Sequence, residues 1–221
     1  CAGAYLTPAR ESPARDGGAP GPSGTMIDGM RVLGDVVLAV HDCPIPVVAK
    51  VDGVSVGAGF GLALAADMIW CSDRARFSAI FAKRGLSMDF GSSWLLRQRV
   101  GVNKAKELAF TAKMLSAAEA YELGIVNAVV PTAELDDAAR EIVDTIAAGP
   151  PIALSMTKRE LNNAPMSSLA QALEVETLAR VRPGQRTGLA RPIRLTRFAT
   201  AAVRLLNGYL VVLVAFALRD S

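Results

Sequence analysis

The sequence predicts a layered α/β fold, and three observations carry that prediction. The run PVVAKVD at 46–52 has the apolar continuity of a buried strand. The tight triplet Gly57-Ala58-Gly59 follows, opening the small apolar stretch GFGLALAAD, and Met68 to Cys71 then returns as a second strand. Strand, glycine turn, helix and strand in succession build a layered α/β core. The chain is 221 residues, 51% hydrophobic and 20% charged, enough for one globular domain with a sizeable interior.

The elements follow in order. Residues 7–25 are rich in Pro, Gly, Ser and charge and read as a loop. Met26 to Val40 carries apolar residues at helical spacing, namely Met26, Met30, Leu33, Val37 and Leu38. Pro44 ends that helix, because proline disfavours helical geometry just before it. Arg76-Phe77-Ser78 is a third, short strand. Ser92 to Val100 and Asn103 to Lys113 read as helices. Ser116 and Glu119 form a capping box, and Gly124 is suited to end the helix they open. Ile125 to Val130 reads as a strand closed by Pro131. Glu134 to Ala148 is amphipathic, with Leu135, Ala138, Ala139, Ile142, Val143 and Ile146 on one face. Helices over 151–162 and 168–180 complete this region, the second opening on a capping box from Ser168 to Gln171.

Charge separates the tail from the body. Residues 1–180 hold 17 Lys+Arg against 20 Asp+Glu, whereas 181–221 hold seven Arg and one Asp. The expected organisation is an α/β core over 1–130, a helical region over 131–180 and a divergent Arg-rich tail over 181–221. The apolar end of that tail, 208–218, is too short to span a bilayer as a helix. A tail foreign to the fold is one reading of it, and membrane-surface contact another. Aromatics make up 5% of the chain, which gives no stacking platform for nucleic acid. Cys1, Cys43 and Cys71 are odd in number and match no metal spacing, so a reduced, cytoplasmic protein is expected. The opening Cys-Ala-Gly-Ala-Tyr-Leu, without Met, reads as a sequence entered partway.

The segment PIPVVAKVDGVSVGAGFGLALAADMIWCSDRARFS resembles the heart of the crotonase superfamily, the enoyl-CoA hydratases and isomerases. The resemblance continues through FAKRGLSMDFGSSWLLRQRVG and AKELAFTAKMLSAAEAYELGIVNAVVP to about Arg180, with several motifs in matching order. It implies a crotonase-like ββα spiral core with a C-terminal helical region. It also implies an acyl-CoA substrate that brings its own coenzyme A, with no metal or redox cofactor, and assembly as trimers or pairs of trimers. The several strands and the helix that precede the opening loop in the family have no counterpart in the sequence.

Chemistry beside a thioester passes through an enolate, and two backbone N–H groups aimed at its oxygen stabilise the charge. A small-residue turn entering a helix supplies such a donor, and the helix dipole adds to it. By resemblance the donors are Ala58 and, in the opening loop, Ala4; Ala2, Leu6, Gly57 and Gly59 lie beside the thioester. Taken alone, the triplet at 57–59 is equally a turn that permits close packing of helix on strand.

Family hydratases use two glutamates, and their positions fall on Gly61 and Phe81, neither of which moves a proton. Asp89 stands where some relatives, certain double-bond isomerases and the haloaryl-CoA dehalogenases, place a carboxylate. An isomerase needs one base to carry a proton across an allylic system, and burial raises a carboxylate's pKa toward the working pH. Phe81, Met88, Phe90 and Trp94 are candidate apolar walls. Locally, Asp before Gly-Ser-Ser is also a helix cap or turn signal. The dehalogenase reading needs a histidine at position 34, which is glycine; the single histidine is His41. Asp67 is assigned a capping or pairing role, and Lys158 and Arg159 are expected to be solvated. The rival readings are a hydratase with an atypical site and an inactive remnant of the fold.

Overall fold

The structure is a computed structural model that describes residues 22–181 and 210–214, with backbone only at 22–30, 178–181 and 210–214. Helix α1, Pro22–His41, leads into strands β1, Val47–Val51, and β2, Val54–Val56. Helix α2, Ala58–Ala65, is followed by β3, Met68–Ser72, and β4, Arg76–Ser78. After a 3₁₀ turn over Ile80–Arg84 come α3, Ser92–Thr111, β5, Leu115–Ser116, α4, Ala117–Glu122, and β6, Ala128–Val130. Helices α5, Leu135–Ala147, α6, Pro151–Asn163, and α7, Leu169–Val181, form the second half, and β7 is Leu210–Val214.

Two small sheets stack the core. One has the order β6-β3-β1-β7, the other β2-β4-β5. β1 and β3 are parallel, with Val48 opposite Met68 and Val51 opposite Cys71. Both faces of β1 are covered, since Val47, Val48, Ala49 and Val51 are buried. This is why its sequence is a continuous apolar run rather than an alternating one. Lys50 is the exception, and its ammonium pairs with Asp136 on α5, which lies over β1 and β3. β7, from the tail, pairs antiparallel with the whole of β1.

Helix α2 is apolar all round because Gly59 through Ala65 are all buried. Phe60 and Phe77 meet in its shadow with ring centroids 5.8 Å apart. Burial pushes the Cys71 thiol up to about 12, so it behaves as a packing group. The two helices expected over 92–100 and 103–113 are both present: α3 is two helical segments parted at Gly101, whose φ of 74° and ψ of 165° break the helical path. The capping boxes at Ser116 and Ser168 both form. The strand expected over 125–130 is shorter: Ile125 and Val126 turn inward to the core and only Ala128–Val130 pair with β3. Among the described residues no helix is long and apolar enough to cross a membrane.

Lys158 corrects the expectation of a solvated helix residue. Its ammonium is enclosed and donates to Asp67 Oδ2 at 2.8 Å and to the Ile45 carbonyl at 3.3 Å. The i+3 and i+4 pattern of α6 alone does not show this, because the acceptors lie on the chain before β1 and after α2. Arg159 beside it is exposed.

Candidate active site

The turn from β2 into α2 is made by Gly57, whose φ of 56° and ψ of −127° suit glycine alone. Gly57 N–H donates to the Ser78 carbonyl at 3.0 Å, fixing the turn against β4. Ser55 Oγ donates to the Gly59 carbonyl at 3.1 Å from the other side. Ala58 is thus the first residue of α2, with an amide that has no acceptor within the helix. It is partly exposed, while the residues after it are buried.

Phe81 stands beside this turn. A Cβ on Gly57 would meet its ring at 3.9 Å, so the ring is an apolar wall directly against the amide turn. Asp89 arrives on the turn before α3. Ser92 N–H donates to the Asp89 carbonyl at 3.0 Å, and Phe90 and Gly91 between them both take left-handed backbone, with φ of 51° and 65°. A left-handed phenylalanine is strained, and here it is buried against the core. The turn packs on α2 at Gly61, where a Cβ would fall 2.6 Å from the Phe90 carbonyl oxygen and 2.6 Å from Ser92 Oγ. Gly61 lies one helical turn along α2 from Ala58. The amide turn, the Phe81 ring and the Asp89 turn are therefore neighbours around the first turn of one helix.

Asp89 is half-buried, its Oδ1 is enclosed, and burial raises its carboxyl above the ordinary value. Met88 is half-buried against the core, and Trp94 stacks edge-on against His41 with centroids 5.5 Å apart. Ala2, Ala4 and Leu6 lie outside the described residues.

A family model for Enoyl-CoA hydratase/isomerase matches residues 31–187, which is most of the chain. The chain belongs to this family. Among its curated relatives, the short-chain-enoyl-CoA hydratase of Clostridium acetobutylicum is 35% identical over 134 residues, 61% of this chain and 51% of the relative. The 1,2-epoxyphenylacetyl-CoA isomerase of Escherichia coli is 34% identical over 146 residues, 66% of this chain and 56% of that one. The chain thus spans about half the length of the curated relatives it matches. A crystal structure assigned as an enoyl-CoA hydratase from Thermobifida fusca YX, in complex with acetoacetyl-CoA, superposes with a TM-score of 0.70 at 34% identity. That match covers 72% of this chain and 62% of that one. The crotonase fold expected from the sequence is the fold observed.

Within this crotonase, the close contact at Gly61 limits what side chain can stand there. A glutamate there has no space, because its first carbon already meets a backbone oxygen and Ser92 Oγ. Gly61→Ala is expected to cost roughly 1–3 kcal/mol of stability through overpacking, and Gly61→Glu more. Denaturant unfolding of the two variants checks this, and an unchanged midpoint for Gly61→Ala would refute the contact. Sequence reasoning passed over Ser92. Its only signal in the sequence is the Gly-Ser-Ser after Asp89, a turn cue; its contact with Gly61 joins positions 31 residues apart.

Proposed function

We propose that this crotonase moves the double bond of an enoyl-CoA, with Asp89 as its single base. The observation that supports this most is the half-buried, raised Asp89 carboxyl on a turn packed one helical turn from Ala58. The two other positions where a hydratase of the family would hold a carboxylate are glycine and phenylalanine. In this reading the thioester oxygen accepts from Ala58 N–H and, by resemblance, from Ala4 N–H. Asp89 takes a proton from the carbon next to the carbonyl. The electron pair moves onto the thioester oxygen, giving a dienolate, and the oxyanion donors hold the charge. Asp89 then returns the proton to the far carbon, so the double bond shifts and nothing is gained or lost. Phe81 keeps the base and the enolate in apolar surroundings, which strengthens both interactions.

The acyl-CoA substrate carries its own coenzyme A, so the scheme calls for no further cofactor. Exposed apolar side chains on α6 and α7, among them Ile152, Leu161, Leu169 and Leu173, support self-association as a trimer or a pair of trimers. The free thiols Cys43 and Cys71 suit a reducing cytoplasm.

The test incubates purified protein with 3-enoyl-CoA and, separately, with 2-enoyl-CoA, following double-bond migration and water addition independently. Migration without hydration is the expected result. Hydration as the main reaction would replace this reading with a hydratase of atypical site. A folded protein that catalyses neither would be a remnant of the fold.

A further inference from the structure

Helix α2 ends in the interior with no basic residue in its last turn. Leu64 and Ala66 are buried there, so their carbonyls need a donor from another element. Arg99 of α3 supplies it. Its Nη2 donates to the Ala66 carbonyl at 2.7 Å and, at 3.4 Å, to the carbonyls of Leu64 and Asp67. A guanidinium thus stands at the carboxyl end of α2, where the helix dipole favours a cation. The opposite end of the same helix presents the Ala58 amide. Between the two ends, Gly61 takes the Phe90 carbonyl and Ser92 Oγ against its bare Cα. Ser92 and Arg99 are seven residues apart, two helical turns, and so share one face of α3. α3 therefore meets α2 at two separate places along that face. One contact would leave α2 free to pivot beneath α3; two fix its slide and its rotation.

We propose that Arg99 is a positioning residue for the reaction: by clamping the carboxyl end of α2 to α3, it holds the Ala58 amide aimed at the thioester oxygen. This rests on the reading of Ala58 as an oxyanion donor. Arg99 acts through backbone carbonyls at the far end of the helix and moves no proton. Asp67 ties the same end to β1 and α6, whereas Arg99 carries the tie to the helix that Asp89 precedes. A displacement of the amide by about 1 Å is enough to slow a reaction up to roughly 10²-fold.

The experiment compares wild type with Arg99→Met, Arg99→Gln and Arg99→Lys, each well below its own melting midpoint. With 3-enoyl-CoA, kcat in Arg99→Met is expected to fall about tenfold with KM unchanged. The second readout is bound acetoacetyl-CoA, whose enolate absorbs in the near ultraviolet and is stabilised by the oxyanion donors without a base on the protein. Its enolate absorbance per bound molecule is expected to fall in Arg99→Met, and Arg99→Lys, which keeps a cationic donor, to recover most of both signals. Arg99→Gln, which keeps an amide donor, carries the same comparison if Arg99→Met does not fold. A lowered melting midpoint with kcat and enolate absorbance unchanged would make Arg99 a helix cap and overturn the proposal. A wild type that binds acetoacetyl-CoA without enolate absorbance would remove the Ala58 assignment, and the Arg99 role with it. Turnover surviving in Asp89→Asn would remove the base alone, since the enolate signal reads Arg99 independently of it.

Discussion

On the proposed isomerase reading, replacing Asp89 with asparagine is expected to lower turnover of 3-enoyl-CoA by about 10²–10⁴-fold while leaving the protein at least as stable at neutral pH. The two halves of this expectation have one origin. Enclosing Oδ1 makes the carboxylate costly in the folded state, so the folded pKa lies above the unfolded one. The stability attached to the bound proton is therefore complete below the unfolded value and is lost as pH rises through the raised folded value. Asparagine is neutral throughout and loses nothing over that window. The thermal midpoint of the variant, relative to wild type, should climb from acid to neutral pH and then level off. Thermal scans at pH 4 and pH 8 test the stability half, and turnover of 3-enoyl-CoA tests the other. A variant retaining more than a tenth of wild-type turnover would rule out Asp89 as the base. A difference in midpoint that does not grow with pH would show that burial is not what shifts the carboxyl.

What made this site legible in the sequence was its local chemistry. The triplet at 57–59 needs a glycine where φ is positive, and β1 upstream of it is buried on both faces. Both are properties of contiguous residues, so they survive in a one-dimensional reading. The capping boxes at Ser116 and Ser168 were readable for the same reason. The features that escaped are set by contacts between distant segments. Nothing near Gly61 announces that the Phe90 carbonyl and Ser92 Oγ fill the space beside it. Nothing near Lys158 announces that it is enclosed, because its apolar neighbours on α6, Ile152 and Leu161 among them, are exposed while the lysine is the buried residue of that helix. Phe90 in left-handed backbone runs against its own propensity, and only the packing of its ring and of the turn on α2 holds it there.

The same long-range dependence makes Asp67 the residue whose loss should cost the fold most among its polar groups. Asp67 N–H donates to the Val47 carbonyl at 3.0 Å, and Val47 N–H donates back to Asp67 Oδ2 at 2.6 Å. Lys158 adds its ammonium to the same oxygen. Arg99 donates to the Ala66 carbonyl at 2.7 Å, and the nearby Asp67 charge opposes the lowering that burial imposes on the guanidinium. The Asp67 carboxylate thus joins the start of β1 and helix α6 at the end of α2, with the Arg99 guanidinium of α3 held on the backbone beside it. Asp67→Ala strands the Lys158 ammonium, whose side chain is only 7% exposed, and leaves the Val47 amide without an acceptor. The expected cost is about 3–5 kcal/mol, or roughly 10 °C in thermal midpoint. Lys158→Met should cost less, since its stem still packs and Asp67 keeps Val47 N–H and the neighbouring Arg99. The double variant should be more stable than the sum of the two losses predicts, because removing both charges leaves neither stranded. Strict additivity in that cycle would mean the two side chains act separately and the joint does not exist. Because α2 begins at the glycine turn that presents Ala58 and Asp67 anchors its far end to β1, Asp67→Ala should keep its KM while cool and lose activity as the fold melts.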